Sequence, residues 1–83
     1  MRQNEILDPL QTRPFRPLRI HVSDGSVYEV RHPELVHLTR SSVLICTPLE
    51  GHPPAVIERF NLVDQLHVTQ IVYTDSPASA AND

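Results

Sequence analysis

The chain has 83 residues, of which 40% are apolar, enough for one small globular domain and too few for two. No apolar run approaches the roughly 18 residues of a membrane span, and no basic and apolar leader segment opens the chain. Cys46 is the single cysteine, which excludes an internal disulfide framework and zinc sites built on cysteine pairs. These features predict a cytoplasmic protein without a membrane partner.

The charge is distributed unevenly, although its total is only −3. All seven basic residues are Arg, and five of them lie between positions 13 and 40, where only three acids balance them. Clustered guanidinium groups are typical of surfaces that bind anions or nucleic acids. The pI of about 5.9 favours ordinary solvated side chains instead, so both interpretations stay open.

The two ends of the chain differ in composition from the middle. Residues 1–14 are mixed in polarity and end at a proline that opposes helix continuation, so they are predicted to form a flexible tail with at most one helical turn. Residues 75–83 are small and polar, which is typical of a disordered terminus. A single β domain is therefore expected over residues 15–74.

The clearest local signal is a β-hairpin from Leu18 to Val30. Apolar residues alternate on both sides of a turn that contains Gly25. A two-residue turn mixes the two faces of the hairpin. A three-residue loop with Gly25 at positive φ places Ile20 opposite Tyr28 and produces one apolar face, so this register is predicted.

Shorter elements follow the hairpin. They are a strand at 35–38, an apolar strand at 43–46, a proline-rich loop at 47–54, a strand at 55–60, a helical turn at 61–66 and a strand at 68–73. The strand at 43–46 is apolar throughout and is expected to be buried on both faces. Five or six short strands with almost no helix predict a mostly β fold, either a small barrel or a rolled antiparallel sheet.

Three stretches resemble known proteins. Residues 13–25 (RPFRPLRIHVSDG), 28–34 (YEVRHPE) and 66–71 (LHVTQI) resemble a group of short uncharacterised bacterial proteins, and this resemblance implies no function. The order of elements is similar to that of SH3-like and Sm-like small barrels, including the bacterial Sm-like RNA chaperone. That chaperone's Tyr-Lys-His signature is matched only by His67, so its uridine pocket is not carried over.

Catalytic and metal-binding motifs are missing from the sequence. The five histidines show no HxH, HxxxH or HExxH spacing, so hydrogen-bonded or solvated imidazoles are expected. Cys46 ends an apolar strand and is predicted to be an inert core residue. Two glycines are too few for a glycine-rich phosphate loop. We therefore expect no enzyme, no cofactor and no small-molecule substrate.

The most unusual segment is RPFRP at residues 13–17, where two prolines favour an extended path. The candidate residues for an anion-binding or partner-binding surface are Arg13, Phe15, Arg16, Arg19 and Arg31. In the alternative interpretation, Phe15 covers the core and the arginines pair with acids.

Three functions are compatible with this sequence. The first is a non-catalytic module for protein interaction or self-assembly through an exposed strand edge. The second is weak binding of RNA or single-stranded DNA by the arginines, which ranks lower because only four aromatic side chains are present for base stacking. A histidine-based metal or catalytic site ranks last.

Overall fold

The computed structural model describes residues 1–74, which form one α-helix and six strands. The elements are α1 (Gln3–Gln11), β1 (Leu18–Val22), β2 (Val27–Val30), β3 (Val36–Leu38), β4 (Ser42–Pro48), β5 (Ile57–Asp64) and β6 (Val68–Tyr73), with one-turn 3-10 helices at Pro33–Leu35 and Gln65–His67. The disordered tail predicted at 75–83 lies outside the described residues. None of the helices described has the length and hydropathy of a membrane span.

The strands form two antiparallel sheets of three strands each, in the orders β2-β1-β6 and β3-β4-β5. The prediction of a mostly β fold is therefore confirmed. The hydrogen-bonded ladders of residues 1–74 do not close into one barrel, so the barrel itself is not confirmed.

The hairpin of β1 and β2 has the predicted register. Ile20 lies opposite Tyr28, and Leu18 lies opposite Val30. Gly25 has a φ of 93°, which a residue with a Cβ rarely adopts. The register follows from burial, because Ile20 is fully enclosed by the core and a slip of one residue would turn it toward solvent.

The N-terminal region differs from the expected flexible tail. Most of residues 1–14 belongs to α1, and Ile6 and Leu10 of this helix are 0% and 6% exposed. Pro9 lies inside the helix and removes a backbone donor, which lowers the helical propensity of the segment. Packing of the apolar side of α1 against the sheets offsets this loss, and such packing stabilises most short helices in proteins.

A single core lies between the two sheets and α1. Its buried side chains are Ile6, Leu10, Leu18, Ile20, Val22, Val30, Val36, Val43, Ile45 and Val68. Phe15 is half-buried and packs against this cluster.

The region after residue 55 also differs from the expected pattern. The strand continues to Asp64, and the helical turn predicted at 61–66 occurs at Gln65–His67 instead. Asp64 caps that turn, since its Oδ1 accepts a hydrogen bond of 2.9 Å from the Leu66 backbone N–H. The spacing of Leu62 and Leu66 resembles that of a helix, yet both side chains are largely exposed.

Strand β4 is buried on one face only, not on both. Val43 and Ile45 are 0% and 1% exposed in the core, whereas Leu44 and Cys46 are half-buried on the opposite face. The prediction of an inert core cysteine is therefore wrong in its placement. An apolar strand face without full cover remains on the outside of the β3-β4-β5 sheet.

Candidate interaction surface

The two arginines of the RPFRP segment have partners of different kinds. Arg13 Nη1 donates hydrogen bonds to the carbonyl oxygens of Leu10 at 2.8 Å and Thr12 at 2.9 Å, next to the end of α1. The guanidinium carbon of Arg16 lies 3.8 Å from the ring centroid of Tyr73. Such contacts fix a guanidinium against its own fold.

Arg19 and Arg31 meet at a shared carboxylate. Their Nη2 atoms lie 3.1 Å and 3.4 Å from the two carboxylate oxygens of Glu29. The hydrogen bond from Arg19 is the largest of the effects that lower the pKa of Glu29. The structure thus brings together two of the predicted arginines, but it places a negative charge between them.

A serine and a histidine also meet, which the sequence did not indicate. Ser23 Oγ lies 3.0 Å from His67 Nδ1, and the Ser23 backbone N–H donates to the His67 carbonyl at 2.8 Å. The carboxylates of Asp24 and Asp64 accept hydrogen bonds from the backbone of Ser26 and Leu66. These contacts join the β1–β2 turn to the 3-10 helix before β6.

The histidines do not assemble a metal site in the part of the chain described. No cluster of three or more His, Cys, Asp or Glu side chains occurs within residues 1–74. His37 Nε2 lies 2.9 Å from the Glu34 carbonyl oxygen, and His52 Nδ1 lies 3.2 Å from that of Glu50.

Strand β5 has a hydrogen-bonded neighbour on one side only. With eight residues it is the longest strand described, and its ladder to β4 extends from Asp64 to Ile57. The register shifts at Glu58, since Thr47 lies opposite Arg59 and Pro48 lies opposite Ile57. No strand of residues 1–74 pairs with its other edge. A free edge presents a row of unpaired backbone N–H and C=O groups to which another strand can bind.

The outer face of the same sheet is apolar. The β4–β5 register pairs Leu44 with Leu62 and Cys46 with Phe60, so these four side chains share one face. Phe60 and Leu62 are each 63% exposed. Adjacent exposed apolar side chains are typical of interaction sites. The free edge of β5 together with these four residues is called the β5 surface below.

The middle of β5 lacks the usual protection of an edge strand. Folded proteins guard such edges with charged residues, prolines, bulges or short strands. The register shift of β5 lies at Glu58, whereas the segment from Phe60 to Val63 pairs regularly with β4 and contains neither a charged residue nor a proline. By contrast, the edge strand β2 of the other sheet has four residues and carries Glu29 with its two ion pairs.

Sequence reasoning missed the β5 surface. The leucine spacing favoured a helical turn, which removed Leu62 from the strand, and the residues of β4 were expected to be covered on both sides. The apolar character of Leu44 and Cys46 was a usable signal, because a strand that is apolar on both faces needs a cover for each.

Comparison with protein-family models, with curated proteins and with solved structures finds no match for this chain.

Proposed function

We propose that this protein is a non-catalytic interaction module that binds a protein strand at the free edge of β5. One observation carries the proposal: an eight-residue strand is paired on one side only and exposes Phe60 and Leu62 beside its free edge. An added strand satisfies the backbone groups of the edge, while its side chains cover the apolar residues. The partner class is a protein or a second copy of this chain.

The fold of this protein is proposed to be an SH3-like or Sm-like small barrel, and its compartment is proposed to be the bacterial cytoplasm. The order of elements supports the fold assignment, because β6 follows a one-turn helix and pairs beside β1 of the opening hairpin. The free thiol of Cys46 is compatible with a reducing compartment.

Binding of RNA or single-stranded DNA by Arg13, Arg16, Arg19 and Arg31 is the alternative. It has less support, because Arg19 and Arg31 already contact Glu29 and Arg13 contacts backbone carbonyls. The aromatic ring beside these arginines, that of Tyr73, is half-buried and already contacts Arg16.

Capture from a lysate of the source cell tests the proposal. The immobilised full chain is compared with Phe60→Lys, which places a charge in the β5 surface, and with Val27→Lys, which makes the same charge change on the exposed edge strand β2. We expect Phe60→Lys to reduce the captured protein by about tenfold or more, since central apolar residues dominate interfaces. Val27→Lys should capture as much as the wild type.

The salt dependence of binding distinguishes the β5 proposal from the arginine alternative. Protein capture at β5 should persist at high salt, because backbone hydrogen bonds and apolar contacts are weakly screened. Retention of nucleic acid that falls steeply with salt and is insensitive to Phe60→Lys would instead favour the arginine alternative. Equal protein capture by Phe60→Lys and wild type would contradict the proposed role of β5.

A further inference from the structure

We infer that the protein strand bound by β5 carries a basic side chain, Lys or Arg, which enters a cavity between β5 and the β1–β2 hairpin. The inference rests on the proposed function of β5 and adds the chemistry of the partner. Its support comes from the position of this cavity and from the charge of the residues that line it.

The cavity lies beside the regular part of β5 and has a volume of about 420 Å³. Residues 61–64 of β5 line one side, while Ser23, Asp24 and Tyr28 of the hairpin line the other. Ligand pockets in proteins have volumes of about 300–1,000 Å³. Ser23 and Asp24 are exposed, so the cavity is open to solvent and can admit a side chain of a second protein.

An added strand presents alternate side chains to this cavity. From Phe60 to Val63, β5 pairs regularly with β4, so the side chains of Phe60 and Leu62 lie on the outer face. Asn61 and Val63 lie on the inner face and line the cavity. Directly opposed residues of neighbouring strands share a face. A strand paired with this segment therefore places every second side chain on the apolar outer face and the intervening side chains at the cavity.

The acids that line the cavity have no cationic partner in this part of the chain. Asp24 lies on the hairpin side and Asp64 on the β5 side, and no ion pair within residues 1–74 involves either carboxylate. Each accepts a backbone hydrogen bond of 2.9 Å, which uses only part of its acceptor capacity. The chain contains no Lys, and no arginine of residues 1–74 lines this cavity. A cation from a partner is therefore its electrostatic complement.

A second cavity of about 420 Å³ continues the acidic lining toward the start of β5. It is lined by three acids and two arginines, namely Glu29, Glu50, Glu58, Arg31 and Arg59. Both arginines already lie 3.4 Å from one of these acids. The excess of acids along the two cavities attracts a basic segment and repels the phosphates of a nucleic acid. The partner that fits is an extended protein segment in which apolar residues alternate with Lys or Arg.

Peptide binding to the full chain tests the charge of the partner. The probes are short fluorescein-labelled peptides in which valine alternates with lysine, with serine or with glutamate, and fluorescence anisotropy measures their binding. We expect the valine–lysine peptide to bind about tenfold or more tightly than the valine–serine peptide, because it adds charge-assisted hydrogen bonds. The valine–glutamate peptide should bind most weakly. A peptide with the same lysines in one block should bind more weakly than the alternating one.

Two double variants with equal changes in net charge locate the contact. Asp24→Asn with Asp64→Asn should weaken binding of the valine–lysine peptide by about tenfold or more. The matched control is Asp8→Asn with Glu34→Gln, whose positions lie outside both cavities, and it should stay within about twofold of wild type. At about 1 M salt, where the screening length is about 3 Å, the difference between the two variants should shrink. Thermal unfolding of both variants confirms that they are folded.

Carbodiimide coupling tests the position of the lysine. This reagent joins an amine to a carboxylate in contact with it, and the carbodiimide takes up the water that is released. After coupling and proteolysis, mass spectrometry should find the valine–lysine peptide attached to Asp24 or Asp64. Attachment to carboxylates outside both cavities only would overturn the inference.

The requirement for β5 is tested with Phe60→Ser, which removes an apolar contact and adds no charge. This variant should weaken binding of both the valine–lysine and the valine–serine peptide, because each uses the β5 surface. Equal binding of the valine–lysine peptide by wild type and the Asp24 and Asp64 variant, or no preference for lysine over serine, would overturn the inference.

Failure of this inference is distinguishable from failure of the proposed function. If the preference for lysine is absent but capture of lysate protein still depends on Phe60, the basic side chain is refuted and the interaction module stands. If the capture is also insensitive to Phe60→Lys, the proposed function fails as well.

Discussion

Asp24 and Glu29 are the two carboxylates of the β1–β2 hairpin whose pKa values are lowered by their contacts. The backbone N–H of Ser26 donates to Asp24 Oδ1 at 2.9 Å and lowers the pKa of Asp24 below its usual range. The hydrogen bond from Arg19 does the same to the pKa of Glu29. Both groups are thus tied to the register of the hairpin.

We expect these contacts to make the hairpin less stable in acid. Because the pKa of each group is lower in the folded protein than in the unfolded chain, its contribution is fully present above the unfolded pKa. That contribution is lost as the pH falls through the folded pKa, below the ordinary carboxyl range. Thermal unfolding from neutral to acidic pH should show a steeper acidic loss for wild type than for Asp24→Asn with Glu29→Gln. Identical pH profiles would contradict this account.

At the scale of elements, α1 serves as a third layer of the core. Its side chain Ile6 is completely buried, whereas Asn4 of the same helix is exposed. We expect Ile6→Ala to lower the free energy of unfolding by about 2–4 kcal/mol, since it removes core contacts and leaves a cavity. Asn4→Ala should change it by about 0.5 kcal/mol or less. Urea denaturation measures both, and equal midpoints would show that α1 is a dispensable tail.

An element could be predicted from the sequence where neighbouring residues determine its structure, and could not where contacts between distant residues determine it. The β1–β2 hairpin was predicted to its register, because the alternation around Ile20 and the turn at Gly25 are local signals. Helix α1 was not predicted, because Pro9 disfavours a helix locally and the burial of Ile6 depends on packing against strands that are distant in the sequence. Local propensity is a weak guide wherever tertiary packing decides the outcome.

The candidate site shows the same limit. The possibility of an exposed strand edge was inferred from the fold class, but the strand that carries it was not. Identifying β5 requires the order of strands in the sheets, and Phe60 and Leu62 become neighbours of Cys46 and Leu44 only through the β4–β5 register. The predicted arginines were visible in the sequence, whereas their contacts with Glu29 depend on strand pairing.

On the scale of the whole molecule, the two candidate surfaces lie on different sheets. Arg19 and Glu29 are opposite each other in the β2-β1-β6 sheet, whereas the β5 surface belongs to the β3-β4-β5 sheet. A substitution in one sheet can therefore change its surface and leave the other intact. This separation allows the electrostatic and the apolar hypotheses to be tested in one protein.

The decisive variant at this scale replaces Arg16 and Arg19 by Glu. We expect protein capture to stay within about twofold of wild type, because apolar contacts at β5 carry most of the binding energy. The free energy of unfolding should fall by about 1 kcal/mol or less for the lost Arg19–Glu29 pair, which is half exposed. It should fall further through the like charge placed opposite Glu29 and through the lost Arg16–Tyr73 contact. Replacing Arg2 and Arg40 by Glu changes the net charge equally and serves as the matched control. Capture and thermal unfolding are measured on both variants. Long-range electrostatic steering depends on net charge, whereas a local contact depends on position. A steep and salt-sensitive loss of binding that occurs only in the Arg16 and Arg19 variant would therefore place the contact on the arginines instead of β5.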